Sequence, residues 1–337
     1  MSTTNLKISK SSSRSETDDA LAQQYQQKTD KQHILDNPDT YIGSVENVDA
    51  SVWIYDDTTN KIVLRDIEYI PGLYKLFDEG IVNCRDHVVR MIQSPMLQKK
   101  FVSYIETTVQ DDATIVMWND GNGIDVAKHP ENDLWIPEMV FGHLRTSTNY
   151  NKNEKRIVGG KNGFGFKLVL IWSTYGKIET IDHVRGLKYV QEFHNNLDVI
   201  DPPKITKVPT TTKPYTKVSF RPDYARLGLN GLTQDMVAML KKRVYDIGAV
   251  TDHSVKKVKI MYNNVQVPIR NFQQYIDLYI GPKDQCKRVY EQPDERWEYA
   301  VAMSPTHEFM QISFVNGICT FKGGKHVDYI VGQIVRK

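Results

Sequence analysis

The stretch that most restricts how this chain can fold is Gly159-Gly160-Lys161-Asn162-Gly163-Phe164-Gly165-Phe166-Lys167, which runs without a break into Leu168-Val169-Leu170-Ile171-Trp172. Four glycines ahead of a helix aim backbone N–H groups and the positive end of the helix dipole at an anion. Flexible surface loops rarely lead straight into a run this apolar, so the loop is expected to be tied to a buried helix. Lys167 adds a point charge, and phosphate is the anion that suits the set. The spacing excludes two common phosphate loops. Phe166 follows Gly165 where a Walker A loop needs Lys, and no Ser or Thr follows Lys167. Leu168 stands at the third glycine position of G-x-G-x-x-G, which removes the dinucleotide fingerprint.

A second constraint lies upstream. After Pro71-Gly72, the residues Leu73, Leu76, Phe77, Ile81, Cys84, Val88 and Ile92 recur at three- and four-residue spacing and predict an amphipathic helix. Glu79, Asn83 and Asp86 fall at i, i+4 and i+7, on one face opposite that stripe. Three oxygen-bearing side chains on a rigid face suit a hard cation such as Mg²⁺, which takes its other ligands from water and phosphate. The plain alternative is the solvated side of the helix. Downstream, the β-rich run Ala113–Trp118 ends at Asn119-Asp120-Gly121-Asn122-Gly123. Its glycines allow close backbone approach or positive φ, and Asp120 is able to accept from an exocyclic amine such as adenine's. Taken alone, the segment reads better as a hairpin turn. Thr146-Ser147-Thr148-Asn149-Tyr150 is a hydroxyl and amide cluster, suited to phosphate or ribose and equally to caps and turns.

Organisation and composition narrow the class. Nine of the first 17 residues are Ser or Thr and the nearby charges cancel, so residues 1–24 read as a disordered arm. Tyr215–Phe220 alternates like a strand ended by Pro222, and Asp235–Ile247 has helical period. A second unit begins near residue 266. It holds strand-like runs at Trp297–Met303 and Gln311–Phe314, then a helical pattern through Val327, Ile330, Val331 and Ile334 with no stop signal. That second unit, residues 266–337, is therefore expected to be incomplete at its C-terminal end. The 43 basic against 41 acidic residues exclude a strongly basic nucleic-acid binder, though not a local patch. Three distant cysteines make neither a disulfide framework nor a zinc site and point to a reducing, intracellular compartment. No apolar run reaches the roughly 18 residues of a membrane span.

Glu79…Asn83, Asp120-Gly-x-Gly123 and Gly160-x-x-Gly163-x-Gly165 occur in the order found in the Bergerat-fold ATPases, and the chain resembles that superfamily. Asp39-Thr-Tyr-Ile-Gly-Ser44, Pro71-Gly-Leu-Tyr-Lys-Leu-Phe-Asp-Glu79, Val315-Asn316 and Lys322-Gly-Gly-Lys-His-Val-Asp-Tyr329 are similar to one branch, the ATPase region of the eukaryotic-type type IIA DNA topoisomerases. The resemblance runs from about Tyr25 to the end. It implies an α+β fold: a Bergerat α/β sandwich over residues 25–265, with a mixed, largely antiparallel sheet and helices on one face. The start of a transducer-type, ribosomal S5-like domain then follows.

The same resemblance implies ATP and Mg²⁺ as cofactors, Glu79 as the general base and Asn83 as the Mg²⁺ ligand. Asp120 takes the adenine-reading position, supported by Thr216. Thr146, Ser147, Thr148 and Asn149 reach ribose and phosphate. Gly160, Lys161, Asn162, Gly163, Phe164, Gly165 and Lys167 cradle the triphosphate, and Tyr25 reaches the partner copy's nucleotide. A homodimer acting on double-stranded DNA, with no membrane, is implied. The nucleus is the implied location for a cellular protein, and host cytoplasm, viral factory or virion for a virus-encoded one. The family's γ-phosphate lysine sits on a later loop than this chain reaches, so the chain is expected to bind ATP and turn it over poorly alone. A catalytically silent ATP-binding dimerisation module on the same fold is the alternative. Gly80, Cys84, Arg85 and His87 depart from the family pattern. The basic groups Lys204, Lys207, Lys213 and Lys217, then Lys241, Lys242 and Arg243, then Lys256, Lys257 and Lys259 are candidate DNA contacts.

Overall fold

The computed structural model describes residues 28–144, 165–304 and 307–336. Tyr25, the Thr146–Asn149 cluster and the glycine loop through Phe164 lie outside the described residues. The chain opens with two short helices, α1 (Asp30–Asp36) and α2 (Pro38–Tyr41). A hairpin of β1 (Val48–Asp56) and β2 (Lys61–Tyr69) follows, and then the long helix α3 (Pro71–Gln93). Next come β3 (Tyr104–Val109), β4 (Ile115–Asp120), α4 (Ile136–Gly142), α5 (Gly165–Ile171), β5 (Ser173–Asp182), β6 (Leu187–His194), β7 (Val199–Ile200), β8 (Lys204–Lys207) and β9 (Tyr215–Pro222). Helix α6 (Gln234–Val250), β10 (Lys259–Tyr262) and β11 (Val265–Gln266) complete the main body.

Nine of these strands form one sheet, in the order β11-β10-β3-β4-β9-β5-β6-β7 with β8 also on β6. Its pairings are antiparallel except β10 on β3, so the sheet is mixed and largely antiparallel, as the resemblance implies. Period-two alternation decides what each face carries. Met117, Val218 and Ile178 lie side by side across β4, β9 and β5 and are buried under helices α3 and α5. Trp118, Lys217 and Glu179 form the matching row on the outward face.

Helix α3 confirms the spacing argument but not the two-faced picture. Fifteen of its 23 residues are buried, including Asp78, Arg85 and Asp86, because α5, α6, β3 and β4 surround it. Of its polar face Asp86 is buried, while Glu79 and Asn83 stay partly exposed. The departure at Gly80 has a packing reason: a Cβ there would lie 2.5 Å from Met117 Sδ on β4. The turn expected at Asn119–Gly123 forms no hairpin. Strand β4 pairs with β3 on one side and β9 on the other, and the chain runs on toward α4.

The remainder is α7 (Phe272–Ile280), β12 (Arg288–Asp294), β13 (Trp297–Ala302), β14 (Phe314–Val315), β15 (Ile318–Cys319) and α8 (Lys325–Val335). Tyr275 of α7 is buried and its hydroxyl donates to Asp246 Oδ1 at 2.6 Å, which seats α7 on α6. The strand expected over Gln311–Phe314 is reduced to β14. Ahead of it, the Gln311 amide donates to the carbonyls of Thr320 and Phe321, which a strand ladder would otherwise use.

Candidate nucleotide site

The site is built where α3, the first turn of α5 and the ends of β4, β9 and β5 converge. Glu79 and Asn83 sit one helical turn apart on α3. The Asn83 amide donates to the Glu79 carbonyl at 2.7 Å, which commits its NH₂ end to the backbone. The end left to a hard cation is the amide oxygen, the donor type Mg²⁺ takes. Lys75 Nζ lies 2.5 Å from Glu79 Oε1. The second carboxylate oxygen faces Gly165 so closely that a Cβ there would overlap it. The carboxylate therefore sits at the start of α5, where the glycine loop ends. Lys167, two residues into α5, is buried, and burial pushes its ammonium down to about 8.

At the far end of the site the register corrects one expectation. Asp120 belongs to the outward face of β4 with Trp118. Its carboxylate is taken up by the Ser103 backbone N–H at 2.7 Å, the Tyr104 N–H at 2.8 Å and the Ser103 hydroxyl at 2.5 Å. Asp120 ties β3 to β4 and faces away from the helices. The neighbouring residue has the right direction. Asn119 is buried, shares the inward face with Met117, and pairs with Thr216, which in turn pairs with Thr180. The Asn119 amide donates to the Asp120 carbonyl at 2.8 Å, so its oxygen is the end offered to a ligand's donor.

Thr180 organises this row. It donates to the Tyr215 carbonyl at 3.0 Å, accepts from Ile124 N–H at 2.9 Å and lies 3.0 Å from Thr216 Oγ1. With the Thr180 hydrogen committed to a carbonyl, Thr216 is the donor between the two hydroxyls, which leaves Thr216 lone pairs as acceptors. Neither Asn119 nor Thr180 was singled out from the sequence. Alternation along β4 was the available signal, since the buried Met117 two residues earlier marks Asn119 as inward.

The two glycines behind β4 act as expected. Gly121 has φ +100°, and a Cβ at Gly123 would overlap the Ile181 carbonyl. His87 lies beneath the Gly121 turn, with Nε2 3.1 Å from where a Cβ would stand. Burial, reinforced by Arg90, pushes His87 down to about 4, so the ring is neutral and serves as packing. Among the described residues the one His and carboxylate cluster, Glu192, His194 and Asp201, is elsewhere. Lys177 approaches its Glu192 to 3.6 Å on the outward face of the sheet.

A helix-covered mixed sheet, with an acid and an amide on the central helix and a lysine on the helix that follows the glycine loop, is the layout of the Bergerat-fold ATPases. Comparison with known proteins narrows it. The chain is 42% identical over 335 residues to a DNA topoisomerase 2 of Acanthamoeba polyphaga mimivirus, covering 97% of this chain and 25% of that protein. It is 40% identical over 335 residues to DNA topoisomerase 2 of Saccharomyces cerevisiae, covering 94% of this chain and 22% of that one. The crystal structure of the ATPase region of the yeast topoisomerase II superposes with a TM-score of 0.85 at 41% identity, over 94% of this chain and 80% of that chain. No family model matches. The chain belongs to the type II DNA topoisomerase family and corresponds to its ATPase region. It spans about a quarter of the length of the curated relatives it matches.

Proposed function

We propose that this chain is the ATP-binding and ATP-hydrolysing gate of a type II DNA topoisomerase. Nucleotide would draw two copies together so that one DNA duplex passes through another. The observation that carries the reading is the single inward face that joins Glu79 and Asn83 at one end to Asn119, Thr216 and Thr180 at the other. In this reading the triphosphate end of ATP falls to Glu79, Gly165 and Lys167, and its base end to the polar row on the sheet. Asn119 takes the adenine-reading role in place of Asp120, its amide oxygen accepting from the exocyclic amine, with Thr216 beside it.

Phosphoryl transfer to water needs positioning, charge neutralisation and an oriented nucleophile. Glu79 orients the water and takes its proton, and Lys167 holds negative charge at the phosphates. Asn83 would hold Mg²⁺, which when bound neutralises phosphate charge. Its amide oxygen fits a metal that takes oxygen ligands. Thr146, Ser147, Thr148 and Asn149, the segment Gly160–Phe164, and Tyr25 reaching from a second copy complete the proposed contacts. Residues 25–265 form the ATPase unit, and residues 266–337 begin the transducer-type one. Glu79 held against Gly165 at the start of α5 disfavours the silent dimerisation module.

Double-stranded DNA is the proposed substrate of the whole protein. Lys242 and Arg243 are not DNA contacts, because both are buried and paired, with Asp246 and Asp78 respectively. The relatives are eukaryotic and viral, and a nuclear or viral setting is proposed; among the described residues no helix is long and apolar enough to cross a membrane. The test is calorimetric titration with a non-hydrolysable ATP analogue. Asn119→Leu should abolish saturable binding while Asp120→Asn retains it. The reverse result would return the adenine role to Asp120, and no binding by the parental chain would overturn the reading.

A further inference from the structure

Two buried arginines meet the same turn. Arg85 lies on α3, two residues beyond Asn83, and reaches across to the second region. Its Nη1 donates to the Asn316 carbonyl at 3.3 Å and its Nε to the Val250 carbonyl at 3.3 Å, at the end of α6. The same Nη1 is 3.3 Å from Asp86 Oδ1. Arg243, on α6, is fully buried. Its Nη2 donates to the Gly317 carbonyl at 2.7 Å, its Nε donates to Asp78 Oδ1 at 2.6 Å, and its guanidinium stands 5.9 Å from the Phe314 ring centroid. Adjacent carbonyls at the tip of the β14–β15 turn are thus each held by a guanidinium, and each guanidinium also holds a carboxylate on α3.

The placement along α3 gives the contact its meaning. Asp78 immediately precedes Glu79, and Arg85 follows Asn83 by two residues, so the turn grips the helix on both sides of the site pair. The fit is close. Gly317 has φ +83°, and a Cβ there would lie 3.0 Å from Arg85 Cδ and Nε. A long arginine at position 85 and a bare turn at 317 belong to one arrangement. A rigid helix held at two points moves as a body, so displacement of the turn is felt at the side chains between them.

We propose that Arg85 and Arg243 form a joint through which the Asn316-Gly317 turn sets the position of α3, making Arg85 a positioning residue for Glu79 and Asn83. The inference rests on the nucleotide-site reading above. By reciprocity, nucleotide bound at α3 alters the stability of the turn as much as the turn alters nucleotide affinity.

The experiment uses the full chain with Mg²⁺ and a non-hydrolysable ATP analogue. It measures affinity by titration and amide hydrogen exchange over residues 314–319 with and without the analogue. The parental chain should show a nucleotide-dependent change in protection over 314–319. Arg85→Ala should lose most of that change and shift affinity by about 5-fold or more, the lower end of ordinary coupling. Arg85→Lys, which keeps one donor within reach of the turn, should recover part of it. A purely structural role would lower protection in both states and leave the nucleotide-induced difference intact, and that result overturns the joint. If Arg85→Ala does not fold, Gly317→Ala supplies the same test by displacing the turn while both arginines remain. Absence of binding by the parental chain overturns the nucleotide reading and the joint with it. Parental binding without any response at 314–319 overturns the joint alone.

Discussion

The body of the chain up to β11 closes around its helices, while the region from α7 onward leaves its last helix open. In the first, even charge is internal: Asp78, Lys242, Arg243 and Asp246 are all buried, and the aliphatic residues of α3, α5 and α6 close around them. In the second, α8 has no buried residue, and Met303, Phe309, Phe321, Tyr329, Ile334 and Val335 are exposed. Both regions carry good helical patterns. The difference teaches that periodicity specifies a helix and the stripe it wants to bury, while only a neighbour decides whether that stripe is satisfied. It also separates the kinds of function each region supports. The groups proposed to act in catalysis need supports locked by packing, such as α3 gives Glu79 and Asn83, and an open amphipathic helix offers no such precision.

Four measurements bear on that contrast, the strongest first. Glu79→Ala should lower ATP turnover by about 10²–10⁴-fold, the usual contribution of a positioned general base, with analogue binding retained. Phosphate release under single-turnover conditions reads this, and a parental rate in the variant would remove Glu79 from the role of base. Phe77→Ala, at a fully buried position on the same helix, should cost about 3–5 kcal/mol in urea unfolding. A cost below 1 kcal/mol would mean that the body is packed far more loosely than described.

The third measurement concerns pH. Lys167 has its pKa lowered to about 8 in the folded chain. Below that value it carries the charge an anion needs, and above it the free protein loses that charge. Nucleotide affinity should therefore fall by about tenfold between pH 7 and 9, with the slope gone in Lys167→Met. The sign for stability is the opposite: holding the buried ammonium charged is a penalty at neutral pH, relieved progressively as pH rises from about 8 toward the ordinary lysine value of 10.5. The smallest effect is expected in the second region. Ile334→Ser on α8 should change stability by no more than about 0.5 kcal/mol, as exposed substitutions do. A loss comparable to that of Phe77→Ala would show that α8 is covered in solution and that the two regions are alike.

Much of the site was legible in the sequence because helices repeat. The three- and four-residue spacing from Leu73 to Ile92 fixed which residues of α3 share a face, and so put Glu79 and Asn83 together. The apolar run after Lys167 marked α5 as buried in the same way. Strand β4 was harder. In Asn119-Asp120 two adjacent polar residues point to opposite faces, and choosing between them requires knowing which face the helices cover. On its residues alone the segment reads as a turn, and only the family resemblance gives Asp120 the adenine-reading position. Its three hydrogen bonds to Ser103 and Tyr104 come from a strand whose pairing the sequence does not announce. The run Lys241-Lys242-Arg243 failed for a related reason. A charge cluster reads as solvated until its carboxylate partners are placed, and Asp78 is 165 residues away.

By itself, then, the sequence determined the local pieces: the central helix with its acid and amide, the glycine loop with its lysine, the alternating strands, and the family they belong to. Each is set by short-range spacing and backbone preference, which act within a few residues. Tertiary structure decided which side of β4 the helices cover, why glycine stands at 80 opposite Met117, and that Arg85 and Arg243 meet at one turn. Those depend on contacts between residues far apart in the chain, where register, burial and the pairing of charges are settled together.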